Sequence, residues 1–272
     1  FKESTNITLL ALAISDFCCC LTMFWMSLVQ TAYILDPPPF LFDLLSLLAM
    51  TGSFPRIIIT RVTSWLTALI ALERCVCVAL PFKVKAIFSP KHSAVMTAGV
   101  FSIMFSANML LYYSNEFAMT YNPRFNLSQF TMKTIPERVD VAFYINAFVL
   151  LLLPLVNYAF IMSCTLVMVI QLKIATKWRN GACAGSPNGD HRIHLTKETR
   201  LTKLIATTTS VHVVCHAPSN AALIISCFVP EFSFNGRYSL AYLTLCILGF
   251  LLETVNSSIP LFVYYGQSSK FK

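Results

Sequence analysis

At 272 residues the chain has room for one or two water-soluble domains, but 56% of it is hydrophobic and only 12% is charged. A soluble globular chain carries roughly 25% charged residues, and a mean hydropathy of +0.67 cannot be hidden in one soluble core of this size. The composition therefore excludes that class and makes lipid the solvent. The net charge of +8 does not imply nucleic acid, because the basic residues fall in short breaks between apolar runs and gather on no polar face.

In chain order, six stretches hold the roughly 20 apolar residues that a membrane-crossing helix needs. They are Ile7–Leu35, about Pro55 to Ala79, Ser93–Tyr113, Val141–Leu172, Leu201–Val229 and Leu240–Tyr265. Pro37, Pro38 and Pro39 stop the first. In lipid every backbone polar group must be bonded within its own segment, so these spans are helices; the short alternating strands of a barrel are absent from them. The ten cysteines show no metal spacing: Cys18, Cys19 and Cys20 are consecutive, and Cys164, Cys215 and Cys246 lie deep in apolar runs as small buried hydrophobes.

Lys and Arg set the expected orientation. Lys2, Lys83, Lys85, Lys91, Lys173, Lys177, Arg179, Arg192, Lys197, Arg200, Lys203, Lys270 and Lys272 fall in one set of connections, while charges of both signs nearly cancel in the other. The first set is expected in the cytoplasm. Six crossings then leave both ends of the chain inside the cell. The sequence opens at Phe1 without Met or a secretory signal, so a further crossing is expected upstream. Between the fourth and fifth spans, Lys173–Thr196 holds Gly181, Gly185, Ser186, Pro187, Asn188 and Gly189 and predicts a flexible cytoplasmic loop. On the other side Phe117–Met132 alternates around Asn122-Pro123, which predicts a short hairpin. Asn126-Leu127-Ser128 in that hairpin is a glycosylation sequon on the expected outer side.

Ionisable residues inside spans are costly and usually functional. Asp16, in the first span, is open to three roles: holding a sodium ion, relaying a proton, or standing neutral and bonded to nearby Ser and Asn. At the end of the second span lies Leu72-Glu73-Arg74-Cys75, with Pro81-Phe82 following. Pro154 stands inside the fourth span. The fifth carries Lys197-Glu198 at its start and Cys215-His216-Ala217-Pro218 within, and the last carries Asn256-Ser257-Ser258-Ile259-Pro260-Leu261-Phe262-Val263-Tyr264. Together, in register on consecutive spans, these resemble the motifs of rhodopsin-like G-protein-coupled receptors: the Asp/Glu-Arg-Tyr end of helix three, the helix-five proline, the Cys-Trp-x-Pro hinge, and Asn-Ser-x-x-Asn-Pro-x-x-Tyr. His216 replaces the hinge Trp. The last motif lacks its second Asn, and its Pro stands one position early.

The resemblance covers essentially the whole of residues 1–272 and implies an all-α membrane protein, a seven-helix bundle whose first helix is not in this sequence. It implies a plasma-membrane receptor that takes an extracellular peptide or small chemosensory molecule and activates a heterotrimeric G protein, with no enzymatic activity and no cofactor beyond the sodium ion at Asp16. Its details look most like invertebrate chemosensory or peptide receptors. Glu73, Arg74, Pro81, Phe82, Glu198 and Tyr264 are the implied switch, in which an Arg74–Glu198 pair holds two helix ends together. Pro154, Cys215, His216, Pro218, Asn256 and Pro260 are the implied hinges. The bland alternative for the switch is local pairing in solvent, Glu73 with Arg74 and Glu198 with Lys197 or Lys203.

Arg56 precedes Arg74 by eighteen residues, about five helical turns, where amine receptors carry an Asp. It is expected in the ligand pocket, reading an anionic group, or else reaching back to the membrane surface. Arg61 lies deeper, with Glu253 as a candidate partner. His212 and His216, one turn apart, are expected as pocket lining or satisfied polar residues, with a metal pair or pH sensor as the sharper alternative. The family disulfide to the second outer loop is missing: Ala49 stands at the expected cysteine position and Ser114–Asp140 contains no Cys. The hairpin is therefore expected to hold by packing or by its own pairing. A secondary transporter using Asp16, Arg56, Arg61 and Glu253 as a relay is the alternative reading; no internal repeat supports it.

Overall fold

The computed structural model describes residues 2–35, 43–79, 88–122, 126–182, 189–229, 231–232 and 236–267, with backbone only for 2–4, 34, 45, 78–79, 122, 142–143, 145–146, 172, 175–182, 189–202 and 260–267. Its helices are α1 (Lys2–Leu35), α2 (Leu44–Leu48), α3 (Phe54–Ala79), α4 (Pro90–Tyr113), α5 (Val139–Tyr144), α6 (Leu153–Ala182), α7 (Gly189–Phe228) and α8 (Ser239–Gln267). Among the described residues, six helical stretches are long and apolar enough to cross a membrane: Thr5–Tyr33, Ser46–Cys77, Pro90–Tyr113, Ala147–Gln171, Lys203–Phe228 and Ser239–Ile259. In Ser46–Cys77 67% of the apolar stretch is buried, against 17% to 28% in the other five. The second span is therefore enclosed by protein, and the rest keep faces for lipid. Exposed Leu10, Phe17, Phe24, Ile103, Leu166 and Leu251 lie on such faces.

Two spans start earlier than the sequence predicts and cross a π-helical stretch before a proline. The second begins at Leu44, eleven residues before Pro55, and passes through a π-helical turn, Ala49–Ser53, whose last carbonyl bond runs from Phe54 N–H to Ala49. The fourth runs from Val139 through a π-helical stretch, Ile145–Leu152, which closes with Leu153 N–H on Phe148, just before Pro154. A proline lacks an N–H and its ring strikes the carbonyl four residues back. A wider turn immediately before it relieves that clash and lets the helix continue. The expected loop Lys173–Thr196 is largely helical instead. Residues up to Ala182 extend α6 and those from Gly189 begin α7, because Leu172-Lys173-Ile174-Ala175 and Arg192-Ile193-His194-Leu195 are adequate helix formers once a packed span has nucleated the helix.

The chain forms two compact units: Phe1–Leu10 with Leu66–Val95 and Val156–Lys272, and Ala11–Trp65 with Met96–Leu155. In the second unit, Leu111 and Val149 are buried against Phe54, Ile57, Ala107 and Leu150. Tyr112 meets Phe54 edge-on at 5.4 Å and donates its hydroxyl to the Met50 carbonyl at 3.1 Å. The same unit carries the hairpin, β1 (Asn115–Asn122) paired antiparallel with β2 (Leu127–Thr134), Asn115 opposite Thr134 and Asn122 opposite Leu127. It is two residues longer at each end than the sequence alternation suggests. In the first unit Leu69 and Phe88 are buried among Leu72, Val76 and Cys77.

Candidate functional site

At the C-terminal end of α3, Glu73 is wholly buried and Arg74 is 3% exposed. Glu73 Oε1 accepts hydrogen bonds from Ser93 on α4 at 2.8 Å and from Thr8 on α1 at 3.4 Å. The Arg74 guanidinium donates to the Thr5 hydroxyl at 2.6 Å. Thr5 and Thr8, one turn apart on α1, and Ser93, in the first turn of α4, are themselves buried. A buried charge is tolerable only when hydrogen-bonded, so these hydroxyls are what allow an acid and a base to sit inside apolar helices. For Glu73 and Arg74 local pairing in solvent is thereby corrected: both are buried and joined to two other helices.

A second polar cluster links α7 and α8 beside Pro218, which lies inside α7. His212 and His216, one turn apart, have ring centroids 4.0 Å apart. His216 Nδ1 lies 3.7 Å from Glu253 Oε1, which also accepts from the Ser219 hydroxyl at 2.8 Å. Asn256 Nδ2 stands 3.3 Å from His212 Nδ1, and Asn220 donates to the His216 carbonyl at 2.8 Å. Gly249 makes the close approach possible, since a Cβ there would lie 2.2 Å from Ser219 Oγ. Among the described residues no three His, Cys, Asp or Glu side chains are placed to hold a metal ion. On α6, Tyr158 donates at 3.0 Å to the carbonyl of Val213, next to Val214, whose carbonyl Pro218 cannot serve.

In the second unit Asp16 is 6% exposed, in the stretch where Ser15 meets Thr63 at 3.0 Å and Cys19 meets Thr60 at 3.7 Å. Carboxylate and hydroxyl oxygens are the donors a hard cation prefers, so the chemistry there suits sodium. Arg56 is 1% exposed, which corrects the expectation that it reaches back to the membrane surface. The helix begins twelve residues earlier than Arg56, so the guanidinium sits more than three turns inside it. Arg61 donates to the Leu150 carbonyl at 3.4 Å, which is the carbonyl that Pro154, four residues on, cannot serve.

Cys215 is buried in α7. Asn126, exposed at the hairpin turn, has φ 53° and accepts from the Tyr121 hydroxyl. Glu198 lies in α7, and Pro260 and Tyr264 in α8, but their side chains fall outside the described residues; Pro81 and Phe82 fall outside them altogether. Sequence reasoning missed Thr5, Thr8, Ser93, Ser219 and Gly249. Only Gly249 gave a signal, as a glycine one turn before Glu253 in an apolar helix.

The whole chain, residues 1–272, matches the family described as serpentine type 7TM GPCR chemoreceptor Srw. It belongs to that family, and so is a multi-pass membrane protein of the rhodopsin-like, G-protein-coupled receptor class. It is also similar to Proteinase-activated receptor 2 of Rattus norvegicus, 37% identical over 76 residues, which are 28% of this chain and 18% of that receptor. The chain thus matches less than a fifth of that relative's length.

Proposed function

We propose that the protein is a plasma-membrane chemoreceptor that binds an extracellular peptide or small molecule bearing an anionic group and activates a heterotrimeric G protein by parting the cytoplasmic ends of its helices. The observation that carries this reading is the buried Glu73–Arg74 pair, bonded through Thr5, Thr8 and Ser93 to helices α1 and α4. Such a cluster has two discrete states, bonded and parted, which is what a switch needs. Glu198, Pro81, Phe82 and Tyr264 complete the coupling surface in this reading. Pro154, Cys215, His216, Pro218, Asn256 and Pro260 form the hinges. A sodium ion at Asp16 stabilises the resting state, and Asn126 is glycosylated on the outer side.

The direct experiment applies candidate peptides and small acids to cells expressing the full-length receptor and reads nucleotide exchange on G proteins alongside uptake. Signalling without accumulation supports the receptor; accumulation without signalling identifies a transporter. Arg56, buried in an apolar span, supports the anionic ligand because a guanidinium matches carboxylate geometry. Arg56→Ala is expected to weaken an anionic ligand roughly tenfold or more relative to a neutral analogue, and equal losses would refute that role. Glu198→Ala is expected to raise basal exchange, and an unchanged baseline would remove Glu198 from the lock.

A further inference from the structure

The hairpin carries no cysteine, and the described cysteines are free thiols. It is nonetheless fastened to the second span at a defined place. Asp43 caps α2: its Oδ2 accepts from the Ser46 N–H at 3.1 Å and the Ser46 hydroxyl at 2.9 Å, and its carbonyl takes the Leu47 N–H at 2.9 Å. The same two residues reach the hairpin. Asp43 N–H donates to the Phe130 carbonyl at 3.0 Å, and Met132 N–H donates to Ser46 Oγ at 2.8 Å. Phe130 and Met132 are two apart on β2, so both groups leave the strand along one edge, the edge turned from β1. The Ser46 hydroxyl is used both as donor and as acceptor, one turn before Ala49.

Neither face of the hairpin is buried as a whole. In the observed register, Glu116, Ala118 and Thr120 share a face with Gln129, Thr131 and Lys133, while Phe117, Met119 and Tyr121 share the other with Phe130 and Met132. Gln129, on the polar face, is 6% exposed while Glu116 and Lys133 beside it are exposed; Met119 and Tyr121, on the apolar face, are 60% and 58% exposed while Phe117, Phe130 and Met132 are half-buried. Burial of apolar surface is thus divided between the faces, and the hydrogen bonds to Asp43 and Ser46 are what fix the place of the strand.

We infer that the Asp43–Ser46 cap is a non-covalent clamp that fixes the hairpin to the second span, in place of the disulfide used by the receptors this chain resembles. This rests on the receptor reading only for the hairpin's place on the ligand side; the bonds themselves stand without it. A helix cap that also holds a strand makes the position of the outer loop depend on two hydrogen-bonding side chains and not on redox state.

The test is amide hydrogen exchange on the full-length receptor in lipid nanodiscs, which needs no ligand and reads the clamp whether or not the protein signals. Ser46→Ala and Asp43→Ala are expected to speed exchange across Leu127–Thr134 by roughly tenfold or more while leaving α8 unchanged, because only the hairpin is released. Asp43→Asn, which keeps a side-chain acceptor, is expected to stay near wild type, and an added thiol reductant is expected to change nothing. Unchanged hairpin exchange in both alanine variants would overturn the proposal. So would acceleration spread equally over every helix, or loosening of the wild-type hairpin by the reductant. If either alanine variant fails to fold, Ser46→Thr, which keeps the hydroxyl, and Ser46→Val, which removes it at equal size, carry the same comparison.

Discussion

The two polar clusters of the first unit solve one problem in different ways. At Glu73–Arg74 an acid and a base are bonded to hydroxyls from α1 and α4, segments far apart in sequence. At His216–Glu253 the partners come from α7 and α8 alone, and the shared oxygen, Glu253 Oε1, takes both Ser219 and His216. The first arrangement therefore registers the relation of three helices, and any shift of one leaves a buried charge exposed to an apolar setting. The second registers a single interface, placed beside the Pro218 break where α7 can bend. A coupling element needs the first property and a hinge needs the second.

Cutting each cluster separates these roles. Glu73→Ala strands Ser93 and Thr8 and removes the acid beside Arg74, a loss on the order of 3 kcal/mol for breaking a buried charged set. It is expected to lower the thermal midpoint of the purified receptor more than any single change at the other cluster. A midpoint equal to wild type would show that the hydroxyls, not the carboxylate, hold the helices. Gly249→Ala drives a Cβ against Ser219 Oγ and is expected to cost about 1–2 kcal/mol by forcing α7 and α8 apart. Because the damage passes through Ser219, the Gly249→Ala, Ser219→Ala double variant is expected to fall short of the summed losses; strict additivity would deny the route.

Much of this organisation was legible in the sequence. Six apolar runs gave the spans, Glu73-Arg74 and Cys215-His216-Ala217-Pro218 gave the positions of both clusters, and the alternation around Asn122-Pro123 gave the hairpin. The hydroxyl partners were not legible, because Ser and Thr are common in membrane helices and most simply bond back to their own backbone. Thr207 and Ser210 do so, to Lys203 and Ala206, and nothing local distinguishes them from Thr5, Thr8 or Ser93. The start of the second span was misplaced because Pro55 reads as a first-turn proline, whereas the π turn before it lets the helix run on from the Asp43 cap. That same cap fastens β2, a tertiary pairing that no spacing rule signals.

We propose that Arg74, buried and bonded to Thr5, is the coupling residue of this receptor. The most direct test is receptor-catalysed nucleotide exchange on purified heterotrimeric G protein, wild type against Arg74→Ala, at matched surface expression and in the presence of an active ligand. The account predicts that exchange falls to the receptor-free baseline while ligand binding persists. Exchange at the wild-type rate, or loss of ligand binding with coupling otherwise intact, would contradict it.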